Sequence, residues 1–468
     1  MQPKLILFRT EYALSKSRIQ TLFIALVTGC FLTACGGDDP EENQNQNQNQ
    51  HEHDAGDDAG DADGDSDTGD GDADTGENGE AHPYPDCSAS ASASGDAQDD
   101  YNAVQGLLLE AEEGDIICFF DGDYSFEQQL SLQISNVELR GESRDGTRFD
   151  FSDQDAGASG IDVQDVENFQ IRSLSILNTS GDGLVVRNTD GVTIDDIAVI
   201  WEGNPSADNG AYGIYPVTSS DVIVENSVVR GASDAGIYLG QSEYGILRHN
   251  EVYENVAGIE VENSTYVDVH DNDVHQNTGG ILIFNLPELQ RKEGDKTRVF
   301  DNQVYDNNYF NFTSGGIVQL VPSGTGILIV AVQEVEVFGN TIEDHDSLGI
   351  AVVSYQSIPR TYDDDDYYPF AEAINIHSNT IINAGENPVD LAAGATETRP
   401  VPDILWDGIF NPEKDATEIR SCFSGNVDGD ENPVTFENLR AYDEELGSTD
   451  ELGENDCDRD PLDPVVFE

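Results

Sequence analysis

Residues 231–284 read GASDAGIYLGQSEYGILRHNEVYENVAGIEVENSTYVDVHDNDVHQNTGGILIF, and in them a glycine followed at once by isoleucine returns at Gly236, Gly258 and Gly280. The same mark recurs in both directions, at Gly160-Ile161, Gly183-Leu184, Gly213-Ile214, Gly326-Ile327 and Gly349-Ile350, in steps of 23, 30, 23, 22, 22, 46 and 23 residues. A period this short suits neither a helical hairpin nor a propeller blade. It suits one coil of a parallel β-helix, three short strands joined by turns. The expected fold is all-β, a right-handed parallel β-helix of about ten three-stranded coils.

Side chains switch faces at every strand residue, which separates core from surface after each glycine. Ile161/Val163, Leu184/Val186, Ile237/Leu239, Ile259/Val261, Ile281/Ile283, Ile327/Ile329 and Ile350/Val352 are expected to point inward. The outward residues then form two columns along the solenoid. One runs Asp162, Val185, Tyr215, Tyr238, Glu260, Leu282, Leu328, Ala351, and the other Gln164, Arg187, Val217, Gly240, Glu262, Phe284, Val330, Val353. With coils about 4.8 Å apart, Arg187, Tyr215, Tyr238, Glu260 and Glu262 gather on one face, which turns apolar below them.

A second mark, Asn followed one residue later by Val or Ile, stands at Asn226, Asn250, Asn272, Asn302, Asn340 and Asn379. Stacked asparagines of this kind hold turns and read as structural. Gln98 to Glu113 carries Val104, Leu107, Leu108 and Ala111 at helical spacing, which predicts a helix capping the open N-terminal end. Residues beyond the regular coil fall at 201–212, 285–298, 306–325 and 355–371, all flanking the same strand. Long loops on a rigid scaffold are a usual seat of function; here they either wall a groove or shield Leu282, Phe284, Leu328 and Val330.

The acid–tyrosine face admits specific chemistry. Glu260 and Glu262, with Asp234 in the preceding turn, are candidate Ca²⁺ ligands, and Arg187 or an ionised tyrosine a candidate for the acid–base steps of a uronan lyase or epimerase. A glycosidase would use two carboxyl groups, and residues two apart on a strand have Cα atoms about 6.6 Å apart, which fits either stereochemical class. Tyr215 and Tyr238 are candidate sugar-stacking platforms. His249, His270 and His275 fall on other strands and form no metal-ligand pattern; the Asp363–Asp366 run, with Tyr362, Tyr367 and Tyr368, reads as a solvated loop or a cation site.

The ends of the chain are an address and a tether. Lys4, Arg9, Lys16 and Arg18 precede an apolar stretch ending at Leu32-Thr33-Ala34-Cys35, which resembles the lipobox of bacterial lipoproteins, with Cys35 lipidated after removal of the signal. Gly36 favours onward passage to the outer membrane. From Asp38 to Glu80 there are 17 acids and no Lys or Arg, so residues 36–82 are expected to be a disordered tether spanning roughly 35–40 Å or more. The acids Asp61, Asp63, Asp65 and Asp67 lack the glycine and closing glutamate of a calcium loop, since Ser66 and Asp72 stand there. The β-helix domain is expected over 83–394, with an irregular cap over 395–468.

The whole chain has a net charge of −72, and beyond Glu80 the balance is still −58. Such a surface excludes nucleic acid as a partner and repels anionic lipid. Cys87, Cys118, Cys422 and Cys457 remain after export; of three possible pairings, Cys87–Cys118 and Cys422–Cys457 are expected as local staples.

The strings NGAYGIYPV (209–217), GASDAGIYLGQSE (231–243), NVAGIEVENST (255–265), NTGGILIFNLP (277–287), RVFDNQVYDNN (298–308) and VPSGTGILIVA (321–331) resemble a family of secreted bacterial parallel β-helix lipoproteins, over roughly residues 98 to 425. Their genes often lie beside one for a diheme c-type cytochrome-like protein. The resemblance implies the fold and the export route without naming a reaction. More distantly the repeats are similar to the pectate-lyase-like superfamily of lyases, epimerases and hydrolases, but the Asp-Pro-His-Asp motif of its alginate epimerases is absent. The leading expectation is a lipid-anchored protein of the cell envelope that binds or processes polysaccharide. The alternatives are a non-catalytic scaffold for a periplasmic partner such as that cytochrome, and a cell-surface adhesin.

Overall fold

The computed structural model describes residues 86–443 and 447–467. The expected signal, the lipidated Cys35, the tether and its Asp61–Asp67 run lie outside the described residues. Each coil gives one strand to each of three parallel sheets, of 11, 11 and 10 strands. The first sheet holds the strands that follow the marker glycines, among them Asp182–Arg187, Tyr212–Val217, Ala235–Gly240, Ala257–Glu262 and Gly279–Phe284.

The glycine is where the chain turns from the third sheet onto the first. At Gly258 a Cβ would stand 2.5 Å from Val274 Cγ1 and 2.7 Å from the Gly280 carbonyl oxygen, so only glycine lets neighbouring coils close up. The aliphatic residue behind it fills the interior. All fourteen residues expected to point inward are at most 1 % exposed, and they form one continuous core. At about 25 cal/mol per Å² this apolar stack is the main stabilising term of the fold.

Buried asparagines run parallel to the core. The amide nitrogens of Asn250, Asn272, Asn302, Asn340 and Asn379 each donate to the side-chain oxygen of the next, ending on Asn426, at 2.9–3.0 Å. Asn226 does not join them. The register pairs Glu225 with Arg248, so Asn226 lies opposite His249, at φ 53° and bonded outward to Asp195, while Ser227 occupies the ladder position. A second ladder of Asn255, Asn277 and Asn307 ends on His345, whose ring burial pushes down to about 3 and so keeps neutral.

The N-terminal helix spans Ala97–Glu110, with Asp96 as its cap and Val104 and Leu108 buried on the open coil. Gln105 satisfies both backbone groups of Ser131, and the buried Asp100 accepts from the Ser94 and Ser125 N–H groups. The helix thereby covers the apolar end and satisfies part of the edge strands' backbone. At the other end the boundary expected at 394 falls inside the solenoid, because Ile404–Trp406 and Phe436–Asn438 continue the first sheet. Disulfides join Cys87 to Cys118 and Cys422 to Cys457. Past Cys457 the chain lies back across the outer side of the second sheet, with the Leu462 and Val465 N–H groups donating to Glu336 and Asp268 at 3.0 and 3.2 Å.

Candidate functional site

The register places every outward residue of the first sheet where alternation puts it. Asp162 pairs with Val185 and Val185 with Tyr215; further on, Tyr238 pairs with Glu260 and Glu260 with Leu282. In the other column Arg187 pairs with Val217, Val217 with Gly240, Gly240 with Glu262, and Glu262 with Phe284. Tyr215, Tyr238, Glu260 and Glu262 therefore share one patch, and Asp234 joins it from the turn before Ala235–Gly240.

Two members were not foreseen. Tyr212 packs 4.4 Å from Tyr215 and 4.7 Å from Tyr238, ring centre to ring centre, and Asp182 accepts the Tyr212 backbone N–H at 3.0 Å. Both precede a marker glycine. A Cβ on Gly213 would point into Val229, so Gly213 and Ile214 both face inward, and alternation counted back from Ile214 assigns Tyr212 to the wrong side. The corner itself was the available signal.

The patch is a floor of acids under a layer of rings. Glu260 is 1 % and Glu262 7 % exposed, two residues apart on the same side of the strand Ala257–Glu262. Tyr238 donates to Glu262 Oε1 at 3.0 Å, and Tyr212 to Asp234. The Tyr238 ring reaches Glu262 by crossing Gly240, where a Cβ would stand 2.1 Å from its Cε1 atom. Glu260 Oε2 is buried and has no hydrogen-bond partner among the described residues.

Burial and mutual repulsion set the charge state. Burial first, then Asp234 and Glu262, drives Glu260 well above the carboxylate range. Glu262 is raised by burial against the opposing bonds from Tyr238 and Glu260. Burial, then Glu262 and Asp182, lifts Asp234 to about 7. Asp182 is raised by burial as well. Asp234 is therefore only partly ionised near pH 7. The same burial raises Tyr215 and Tyr238, so the ionised tyrosine expected as a base does not form there at ordinary pH.

Arg187 is not part of this contact set. It stands three coils from Glu260, roughly 14 Å along the axis, and binds Asp162 at 2.7 Å. Among the described residues no group of three or more His, Cys, Asp or Glu side chains is placed to hold a metal ion. The histidines lie elsewhere: His270 stacks on Phe300 at 4.6 Å, and His275 between Tyr253 and Tyr305.

The loops divide their work along the face. Below the acids they cover it: Leu282, Phe284, Leu328 and Val330 are buried with Phe312, Val318, Tyr355 and Tyr367 in a second apolar cluster. Asp364 clasps this lid, taking Lys292 Nζ at 2.7 Å and the Glu288 N–H at 2.8 Å, and Lys292 holds its carboxyl below the usual range. At the acids the loop over 306–324 comes close enough for a Cβ on Gly316 to stand 3.2 Å from Asp234 Oδ2. At the turns that follow the first-sheet strands, and lined by none of the cluster residues, lies an open polar hollow of about 530 Å³, formed by Asn188, Thr218, Ser219, Ser220, Gln241, Glu243, Gln290 and Arg291. A second hollow of about 350 Å³ shares Asn188, Thr218 and Ser220 and continues it toward Ser135 and Glu167.

Comparison with known proteins follows this geometry. The family described as "Right handed beta helix region" matches residues 159–319 and, overlapping, 200–366. The fold is a right-handed parallel β-helix. Among solved structures the chain is similar to an alginate lyase from Paenibacillus sp. str. FPU-7, at 16 % identity and a TM-score of 0.37, covering 62 % of this chain and 94 % of that one. It is similar to the A-module of a mannuronan C-5 epimerase of Azotobacter vinelandii, at 15 % identity and a TM-score of 0.43, covering 68 % and 87 %. For pectate lyase Pel9A the values are 13 %, 0.38, 64 % and 71 %.

Proposed function

We propose that the tyrosine–carboxyl face binds a polysaccharide and acts on it by general acid chemistry, in a protein exported and held to the outer membrane through lipid on Cys35. One observation carries the reading: three tyrosines in mutual contact stand with the carboxyl groups of Asp234, Glu260 and Glu262, whose burial raises their pKa, on one face of the solenoid. Tyrosine faces stack on sugar rings. A carboxylic acid whose pKa sits near the working pH is suited to protonate a leaving oxygen, the first step of glycosidic cleavage. Asp234, half-buried and with its pKa at about 7, is the group proposed for that role, with the more deeply buried Glu260 and Glu262 beside it.

The test is to incubate the full chain with neutral, amino and uronic polysaccharides, with Ca²⁺ or chelator, reading binding and chain cleavage together. Turnover that is lost in Asp234→Asn supports an enzyme, and binding without turnover a recognition module. Silence across the panel sinks the reading.

A second reading rests on the charge of −58 beyond Glu80, which suits docking of a basic periplasmic partner such as the cytochrome-like protein. The apolar lower face no longer serves it, being covered by the chain's own loops. Co-purification that disappears at high salt is its expected sign. The adhesin alternative rests on the tether and has no support in the folded part.

A further inference from the structure

We propose that the tyrosine–carboxyl cluster recognises the ammonium group of an amino sugar, so that the polysaccharide taken by this face is a de-N-acetylated, cationic glycan rather than a polyuronate. The proposal rests on the glycan reading above and narrows its substrate class.

The cluster has the complement of a cation and holds none of its own. No Lys, Arg or His among the described residues forms an ion pair with Asp234, Glu260 or Glu262. Arg187 is engaged by Asp162, and Arg360 donates to the Gly316 carbonyl. The Glu260 Oε2 atom adds an independent sign. It belongs to a side chain 1 % exposed and lacks any donor among the described residues. A buried carboxyl oxygen without a donor is costly, and an ammonium brings three.

The mouth is built for the same charge. Tyr212 and Tyr215 are half-buried, with ring centres 4.4 Å apart, and Tyr238 closes the group at 4.7 and 5.0 Å. Aromatic faces set beside carboxyls attract organic cations. A net charge of −72 concentrates cationic chains near the protein and repels uronates. An arriving ammonium would displace protons that burial and repulsion now hold on Asp234 and Glu260.

The experiment is calorimetric titration of the full chain with the glucosamine hexamer and with its fully N-acetylated counterpart, at neutral pH, in two buffers of different ionisation enthalpy. The expected result is about tenfold or greater preference for the free-amine hexamer, about 1.4 kcal/mol, with protons released on binding. That preference should vanish in Asp234→Asn and in Glu260→Gln, with melting curves confirming that both variants fold. The proton release is read on the unaltered protein and so does not depend on the variants. Equal affinity for the two hexamers, or preference for the acetylated one or for an oligouronate, overturns the proposal and leaves the glycan reading standing. Binding of neither hexamer nor any other oligosaccharide removes both. A lysine hexapeptide bound more tightly than the amine hexamer overturns the proposal in favour of a basic protein partner.

Discussion

One face of one sheet does two different things. Over Tyr212–Val217, Ala235–Gly240 and Ala257–Glu262 the outward residues are tyrosines and acids at a half-open mouth. Over Gly279–Phe284 and Thr325–Val330 they are Leu282, Phe284, Leu328 and Val330 under a lid of loops. Backbone, register and glycine corner are the same in both halves. In the lower half burial removes apolar surface from water and stabilises. In the upper half burial desolvates carboxyl groups and opposes folding. A fold that already has a continuous core has no structural need for acids there, and their cost to stability is what the proposed binding face would account for.

The largest test of this contrast compares register neighbours. Phe284→Ala should cost about 3–5 kcal/mol, whereas Glu262→Gln, one coil above it, should cost under about 1 kcal/mol or stabilise, since it retains shape and removes a buried acid. Thermal or denaturant unfolding of both variants measures the difference, and equal losses would erase the distinction between the halves.

The next effect is a pH dependence. Asp234 titrates at about 7 in the folded protein, against about 3.9 for an unperturbed aspartate, so between those values the folded state binds the extra proton. Stability should therefore fall as pH rises from about 4 to about 7, by up to about 1.4 kcal/mol per pH unit for each such group. Asp234→Asn should flatten the profile relative to the unaltered protein. An unchanged slope would mean that the mouth is wetter than its burial indicates.

Gly240→Ala sharpens the comparison further. The added Cβ collides with the Tyr238 ring, which must leave Glu262, for a loss of about 1–3 kcal/mol together with weakened glycan binding. Unfolding and binding measured on the same sample separate the two effects. The smallest effect belongs to Arg187→Gln. Its guanidinium is about half exposed and stands three coils from Glu260, so stability should change by about 0.2–1 kcal/mol and the pH profile only slightly, through Asp182, whose carboxyl Arg187 draws down.

What was legible in the sequence followed strict periodicity. Glycine followed by Ile or Leu gave the coil, alternation from Ile237 to Leu239 gave core and face, and helical spacing from Val104 to Leu108 gave the cap. Reading failed where the period breaks. Tyr212 and Asp182 sit at the corner, where two successive residues face inward. Asn226 lies one register position from the ladder that Ser227 occupies, a shift that the Asn-x-Val pattern cannot show. The strand Ile404–Trp406 belongs to the solenoid despite lacking the glycine mark.

By itself the sequence determined the solenoid, its register and the identity of the residues on its exposed face, because a strand's two-residue alternation and a coil's fixed length are local properties of the chain. Only the tertiary structure decided which part of that face its loops cover, that burial raises the pKa of Glu260 and Glu262, and that Arg187 stands apart from them. Those outcomes depend on where loops separated by tens of residues come to rest and on how much water they exclude, and desolvation is a property of the assembled surroundings rather than of any segment.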